Sequence, residues 1–331
     1  MKILAYGVRG DERPYLDDWA ARTGDHVHQT HRFLTPDTLS EGADGISCFQ
    51  TVPYAPAVFA KMQALGIRYL ALRNTGYENV DLDAAAHYGI RVSNVPAYSP
   101  AAIAEFAVAD MLYLLRQTGA VQADLRANDY ATAGTHIGRE LGACTVGVVG
   151  TGRIGRVLIR LLNGFGARVL AYDPHPPAEA DLQFTPVDWP TLLAESDILS
   201  LHVPGTPANH HLIDAAALAQ MRPGALLINT GRPNLIDTRA VMAALDAHTL
   251  AGVGIDTYEN ETSDLLALSN RGHFNDPQWQ ALLARPNVIL SPHIAYYTQT
   301  AVRNMVESSL HNLKAFRHGQ PCDAELTAAL A

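Results

Sequence analysis

Arg232, Glu261 and His293 are the side chains whose types and order suit a proton-coupled reduction. Each follows a strand-like apolar run. Arg232 lies in Asn229-Thr230-Gly231-Arg232, Glu261 lies five residues after Asp256, and His293 follows the run Val288–Ser291. A planar guanidinium can bind the carboxylate and carbonyl oxygens of a 2-oxo acid together. Histidine can supply the proton that a carbonyl oxygen takes up when hydride arrives at its carbon. A carboxylate beside the ring would keep the acid form available. Such a set would reduce a 2-oxo acid to a 2-hydroxy acid. Taken singly, Arg232 reads as a surface loop residue, Glu261 as one of several solvated acids and His293 as a turn cap. Gathered on one edge of a nucleotide-binding sheet, they read as a site.

The signal for that sheet is the run Thr145–Val149 followed by Gly150-Thr151-Gly152-Arg153-Ile154-Gly155 and an amphipathic stretch from Arg156. A glycine triplet alone is weak, but between strand and helix it has a mechanism. Gly150 makes the tight turn, Gly152 lets the backbone approach a pyrophosphate, and Gly155 packs the helix on the sheet. The helix N-terminus then offers free N–H groups to the phosphates. The following run, Arg168–Tyr172, ends in Asp173, where a carboxylate would accept from ribose hydroxyls and repel the extra phosphate of NADP. Gly150, Gly152, Arg153, Ile154, Gly155 and Asp173 are thus the expected NAD-binding residues of this segment.

Apolar runs alternate with helical patterns along most of the 331 residues, which predicts a parallel α/β protein of two domains. Strands are predicted near Ile3–Tyr6, Gly45–Phe49 and Tyr69–Leu72, and a helix over 100–118 opens at Pro100 after Ser99. Beyond the glycine turn, strands near Val169–Tyr172, Ile198–His202, Leu226–Asn229, Gly252–Asp256 and Val288–Ser291 complete a six-strand Rossmann set. A last helix near 297–317 is expected to fold back onto the N-terminal unit. The domains are therefore 1–99 plus 297–331 for substrate and 100–296 for NAD. The cofactor domain is an insertion in a discontinuous, flavodoxin-like unit, both being doubly wound parallel sheets.

The 24 Lys and Arg against 33 acidic residues, a net charge of −9, disfavour nucleic acid as a partner. Three widely spaced cysteines suit a reducing, cytoplasmic compartment rather than a disulfide framework or zinc site. The N-terminal segment reads as a first strand rather than a signal peptide. Glu105 and Asp110 interrupt the longest apolar run, so no membrane span is expected.

Several long segments resemble the NAD-dependent D-2-hydroxyacid dehydrogenase family over essentially the whole chain, its hydroxyisocaproate branch first and its lactate branch next. They are Ser93-Asn-Val-Pro-Ala-Tyr-Ser-Pro-Ala-Ala-Ile-Ala-Glu-Phe106, Val146-Gly-Val-Val-Gly-Thr-Gly-Arg-Ile-Gly155, Leu201-His-Val-Pro204, Ile228-Asn-Thr-Gly-Arg-Pro-Asn-Leu-Ile-Asp237, Gly254-Ile-Asp-Thr-Tyr-Glu-Asn-Glu-Thr262 and Ser291-Pro-His-Ile-Ala-Tyr-Tyr-Thr298. The resemblance implies Arg232 as substrate-orienting residue, His293 as general acid/base and Glu261 as its partner. It places Asp256 near the nicotinamide amide, and Thr230, Gly231 and Arg232 along the cofactor. His202, Val203, Pro204 and Asn209 fall around its adenosine and phosphates. The backbone N–H groups of Thr75 and Gly76 are implied to hold the substrate carboxylate, with Tyr98 close by. A homodimer built mainly from the cofactor domains is implied as well.

Three departures concern the pocket. Arg232 is followed by Pro233 where many members have glycine, Thr75 replaces a usual valine, and Tyr77 and Glu78 replace a small residue and aspartate. Phe49 matches a position facing the substrate side chain, where lactate enzymes tend to carry tyrosine and the isocaproate type an aliphatic residue; the lesser alternative is a core residue. Tyr296 is a second candidate wall. Branched or aromatic 2-oxo acids are therefore expected as substrates, with pyruvate accepted but inferior. The rivals are a D-lactate dehydrogenase preferring pyruvate and an NAD-sensing, corepressor-like protein. His26-x-His28-x-x-His31 lacks the company that metal sites show, so no metal is expected.

Overall fold

Short strands whose residues point into apolar surroundings on both faces alternate with helices, the pattern that forces a parallel sheet covered on each side. The computed structural model describes residues 1–176, 182–259 and 276–327. The chain divides into two units, Met1–Ser99 with Tyr297–Ala331, and Pro100–Tyr296.

The first unit runs β1 (Lys2–Tyr6), α1 (Arg13–Thr23), β2 (His26–Gln29), β3 (Gly45–Cys48), α2 (Pro56–Ala64), β4 (Tyr69–Leu72), α3 (Leu82–His87) and β5 (Arg91–Ser93). Its strands pair in parallel in the order β2-β1-β3-β4-β5, the flavodoxin-like order. The helix Gln299–Arg317 packs on β3, β4 and α1, which returns the end of the chain to the beginning. The Thr298 side chain caps that helix by accepting from Ala301 N.

The second unit contains α4 (Pro100–Leu115), α5 (Thr118–Arg126), α6 (Tyr130–Ala133), β6 (Thr145–Val149), α7 (Arg153–Gly164), β7 (Arg168–Tyr172), β8 (Thr185–Pro186), α8 (Trp189–Glu195), β9 (Ile198–Leu201), α9 (Ala215–Gln220), β10 (Ala225–Asn229), α10 (Thr238–Asp246) and β11 (Leu250–Ile255). The helix Pro277–Leu283 and β12 (Val288–Leu290) follow. The described strands form one parallel sheet in the order β12-β11-β10-β9-β6-β7-β8. One core layer lies between the sheet and α8, α9 and α10; the other lies under α4 and α7. Asp188, Asp214 and Asp237 begin α8, α9 and α10, each accepting from backbone N–H groups of the first turn.

Two expectations need correction. The helix predicted over 100–118 stops at Leu115 and restarts at Thr118, because Gln117 adopts a left-handed backbone with φ 49°. The six-strand set gains Thr185–Pro186 as a two-residue edge strand beside β7.

In both sheets the strand order reverses beside the first strand, where ligands bind in such folds. A glycine ends that strand each time. Gly7 follows β1 with φ 62°, and a Cβ there would lie 1.8 Å from the carbonyl oxygen of Phe49, which follows β3. Gly150 follows β6 with φ 92°, and a Cβ there would lie 2.6 Å from the carbonyl oxygen of His202, which follows β9.

Candidate active site

In the second unit the expected cofactor residues cluster past the carboxyl ends of β6, β7, β9 and β10. Gly155 is buried in α7, and a Cβ there would meet Gly150 O at 2.0 Å, so the helix can sit this close only with glycine. Gly152 caps α7, and a Cβ there would meet no protein atom within 4 Å. The two glycines thus divide the work: one serves the fold, the other leaves open the approach that a phosphate needs. Asp173 Oδ2 accepts from Thr151 N at 2.7 Å and Thr151 Oγ1 at 2.8 Å, while Oδ1 accepts from His175 N at 2.9 Å. Burial pushes the Asp173 pKa up, but these donors more than offset it, and the carboxyl stays below its ordinary range as an anion.

Past β9, the His202 ring pairs with Ser200 Oγ at 2.8 Å, and burial pushes its pKa down to about 4, which leaves it neutral. Asn209 Nδ2 donates to Pro204 O at 2.9 Å and so pins the loop carrying Val203 and Pro204. Past β10, Thr230 is buried and its Oγ1 has no hydrogen-bond partner among the described residues. A buried hydroxyl without a partner on a cofactor edge fits a ligand group that completes it. Open Gly152, anionic Asp173 and orphaned Thr230 Oγ1 together fit NAD.

The turn bearing Arg232 is shaped by Asn229, whose Oδ1 accepts from Gly231 N at 3.1 Å and whose Nδ2 donates to Arg232 O at 3.0 Å. Pro233 then opens a short 3-10 turn, Pro233–Leu235, so the departure from glycine costs no geometry here. The Arg232 side chain is half-buried, with its stem close to Gly205: a Cβ on that glycine would come within 2.8 Å of Arg232 Cβ.

Asp256 does more than sequence reasoning assigned to it. Its carbonyl oxygen accepts from His293 N at 2.7 Å, Oδ1 accepts from Ile294 N at 2.9 Å and from Ser291 Oγ, and Oδ2 accepts from Ala295 N at 2.9 Å. One buried side chain therefore clasps the whole turn that presents His293, whose backbone is left-handed with φ 57°. The His293 and Tyr296 rings stand edge to face, centroids 6.1 Å apart. Glu261 lies outside the described residues.

The first unit holds the other expected residues. Thr75 Oγ1 donates to Val95 O at 2.8 Å, Asn94 Nδ2 donates to Thr75 O at 2.6 Å, and Asn74 Nδ2 donates to Gly76 O. These bonds fix the Thr75–Gly76 carbonyls, while the two amide N–H groups donate to no described protein acceptor. Tyr98 is half-buried and its carbonyl accepts from Asn304 Nδ2 at 2.7 Å. Phe49 is half-buried rather than core. The Arg9 guanidinium lies 4.6 Å from the Phe49 ring centroid and 5.4 Å from that of Tyr297.

Arg9 was missed by sequence reasoning, since nothing in spacing links it to Phe49. Its N–H donates to Glu12 Oε2 at 2.8 Å, and Glu12 Oε1 accepts from Arg73 Nε at 2.8 Å in a fully buried ion pair. Arg73 opens the stretch leading to Thr75 and Gly76, so one polar chain ties the aromatic wall to the amide pair. His26 and His28 lie on the edge strand β2, and His31 follows it. Among the described residues no group of three or more His, Cys, Asp or Glu is placed to hold a metal ion.

A family model described as D-isomer specific 2-hydroxyacid dehydrogenase, NAD binding domain, matches residues 108–295. The chain is also 55% identical over 329 residues to a D-2-hydroxyacid dehydrogenase (NAD+) of Lacticaseibacillus paracasei, covering 99% of each. This chain belongs to the D-isomer-specific 2-hydroxyacid dehydrogenase family. A solved D-2-hydroxyisocaproate dehydrogenase superposes with a TM-score of 0.96 at 55% identity, covering 99% of this chain and 100% of that one. A D-lactate dehydrogenase of Leuconostoc mesenteroides subsp. cremoris is 42% identical, covering 97% of this chain and 98% of its own. The protein is an NAD-dependent D-2-hydroxyacid dehydrogenase. No helix among the described residues is long and apolar enough to cross a membrane.

Proposed function

We propose that this dehydrogenase reduces branched-chain or aromatic 2-oxo acids to D-2-hydroxy acids, with Arg232 orienting the substrate and His293 donating the proton. The observation that carries the reading is the alignment of Arg232, Asp256 and His293 past β10, β11 and β12, on the same sheet edge as the Gly150–Gly155 turn. NADH supplies the hydride when bound. Arg232 would bind the substrate carboxylate and carbonyl oxygens, leaving the carbonyl carbon polarised. His293, in its protonated form, would transfer a proton to the carbonyl oxygen, and Glu261 is its proposed carboxylate partner. The Thr75 and Gly76 amides are proposed to hold the substrate carboxylate, with Tyr98 near it. Gly150, Gly152, Arg153, Ile154, Gly155, Asp173, His202, Val203, Pro204, Asn209, Thr230, Gly231 and Asp256 would hold the cofactor.

Phe49 and Tyr296 are the proposed contacts of the substrate side chain. Phe49 lacks a hydroxyl, and the Arg9 guanidinium against its ring holds it in place. Similarity to a solved D-2-hydroxyisocaproate dehydrogenase supports large apolar substrates. A second reading, D-lactate dehydrogenase, is favoured by the bulk that Phe49 keeps and by the lactate relatives. The deciding experiment compares kcat/KM for pyruvate, 2-oxoisocaproate and phenylpyruvate. A preference for the larger acids supports the first reading, and a preference for pyruvate installs the second.

We also propose a cytoplasmic homodimer. Cys48, Cys144 and Cys322 are all unpaired thiols, as a reducing compartment requires. The second unit exposes Tyr113 and Ile137 at a cavity of about 410 Å³ that both residues line, a face suited to a second copy.

A further inference from the structure

Asp110 sits in the middle of α4, on the face turned to the sheet, and only 5% of its surface is exposed. Its Oδ2 is sealed from solvent and has no hydrogen-bond partner among the described residues. A Cβ placed on Gly254 would lie 2.9 Å from that oxygen and 3.2 Å from the Asp110 carboxyl carbon. The carboxyl thus fills the room that a side chain on β11 would take. Two residues along the same strand direction stands Asp256, the clasp of the His293 turn.

The two acids have opposite surroundings. Asp256 receives Ser291 Oγ–H and the N–H groups of Ile294 and Ala295, so its charge has three donors. Asp110 has none on the sealed oxygen. A buried carboxyl without donors beside an anion is the member of the pair that keeps the proton. We propose that Asp110 is a positioning residue for this reaction: its uncharged carboxyl, packed over Gly254 beside Asp256, leaves Asp256 the single anion that holds the His293 turn. The inference rests on the reading of His293 as proton donor.

Other charges do not change this balance. The elements packed on α4 carry Arg153, Arg156 and Arg160 on α7 and Asp124 and Arg126 on α5, and Asp256 follows β11. Of these, Asp256 alone acts on the Asp110 charge, and His293 acts on Asp256. Burial first and Asp256 second push the Asp110 pKa up to about 7. The carboxyl is therefore protonated at mildly acidic pH, and its ionisation near neutrality sets a second anion against the clasp.

The test pairs kinetics with infrared spectroscopy on the whole enzyme. The difference spectrum between wild type and Asp110→Asn should show the C=O band of a protonated carboxyl at mildly acidic pH, lost at mildly alkaline pH. In the wild type, log kcat/KM for reduction should fall more steeply across neutrality than in Asp110→Asn, which lacks the Asp110 ionisation. At mildly acidic pH the Asn variant should keep more of kcat than Asp110→Ala. Absence of the band at acidic pH, or equal slopes in wild type and Asn variant, overturns the proposal while leaving His293 in place. A flat profile in Asp110→Asn removes His293 as proton donor, and the positioning role falls with it.

Discussion

His293 N donates to the carbonyl oxygen of Asp256 at 2.7 Å, which closes the turn that holds His293 in a left-handed backbone. A non-glycine residue in that region stores roughly 1 kcal/mol or more of strain and persists only when its neighbours over-determine it. The Asp256 carboxylate does so, with three further bonds to Ser291, Ile294 and Ala295.

Removing the clasp should therefore damage chemistry more than binding. Asp256→Asn cannot accept at both carboxyl oxygens, and we expect kcat to fall roughly 10–100-fold, with a smaller loss of NADH affinity, about tenfold at most, from its proposed cofactor contact. Stopped-flow single turnovers with a fluorescence titration of NADH check this. A weakened Kd with normal kcat would leave Asp256 its cofactor contact and remove the clasp.

Asp110 also makes stability depend on pH. Its folded pKa, raised to about 7, exceeds that of an ordinary carboxylate, so the folded state holds one proton more than the unfolded state between these values. Stability then falls as pH rises through that window, from about 4 to about 7, and the deficit is complete above it. Asp110→Asn carries no such deficit. Its Tm relative to wild type should rise as pH goes from mildly acidic to neutral; a constant difference would show that Asp110 is not protonated in the fold.

Gly152 and Gly155 should part company on substitution. Gly152→Ala meets no protein atom within 4 Å, so it should fold normally yet lose roughly tenfold or more in NADH affinity, since its methyl occupies the phosphate approach. Gly155→Ala brings a Cβ to 2.0 Å from Gly150 O and should lower Tm as well as affinity. Calorimetry with NADH titration separates the two. Equal Tm losses would refute the division of work.

Asp173 should set the choice between cofactors. Asp173→Ser removes a carboxylate held below its ordinary pKa range and should lower the ratio of NADH to NADPH efficiency by about tenfold or more. Parallel kcat/KM measurements with both cofactors decide it; an unchanged ratio would place discrimination elsewhere.

Phe49 should grade the substrates rather than gate them. Phe49→Tyr restores a hydroxyl to the wall and should shift the pyruvate to 2-oxoisocaproate ratio of kcat/KM toward pyruvate by roughly 3–30-fold. If the ratio stays put, Phe49 is packing and the wall lies at Tyr296.

Local signals made the dinucleotide edge legible. The turn from Gly150 to Gly155 and the residues just after β10 and β12 could be read because each function is written within a few consecutive residues. Polar edge strands were harder: His-Val-His-Gln at β2 carries little apolar alternation, and only its pairing with β1 makes it a strand. Long-range partnerships left no trace. Arg9 stacks on Phe49 across 40 positions, and Asp256 clasps residues 35 to 39 positions away. Asp110 did carry a signal, an acid on an otherwise apolar helix face, but it was used only to exclude a membrane span. Glu261 lies outside the described residues.

Gly7 and Gly150 set a clearance in each unit in the same way. At each switch point the gap beside the first strand is closed by a main-chain oxygen, that of Phe49 or of His202, standing where a Cβ would be. Peptide backbone cannot be exchanged one residue at a time, so these two apertures are fixed dimensions. The side chains around them remain interchangeable, which makes each unit a rigid frame with a replaceable rim. Variation in such a lineage should therefore alter which acid is reduced long before it alters how far apart the strands stand.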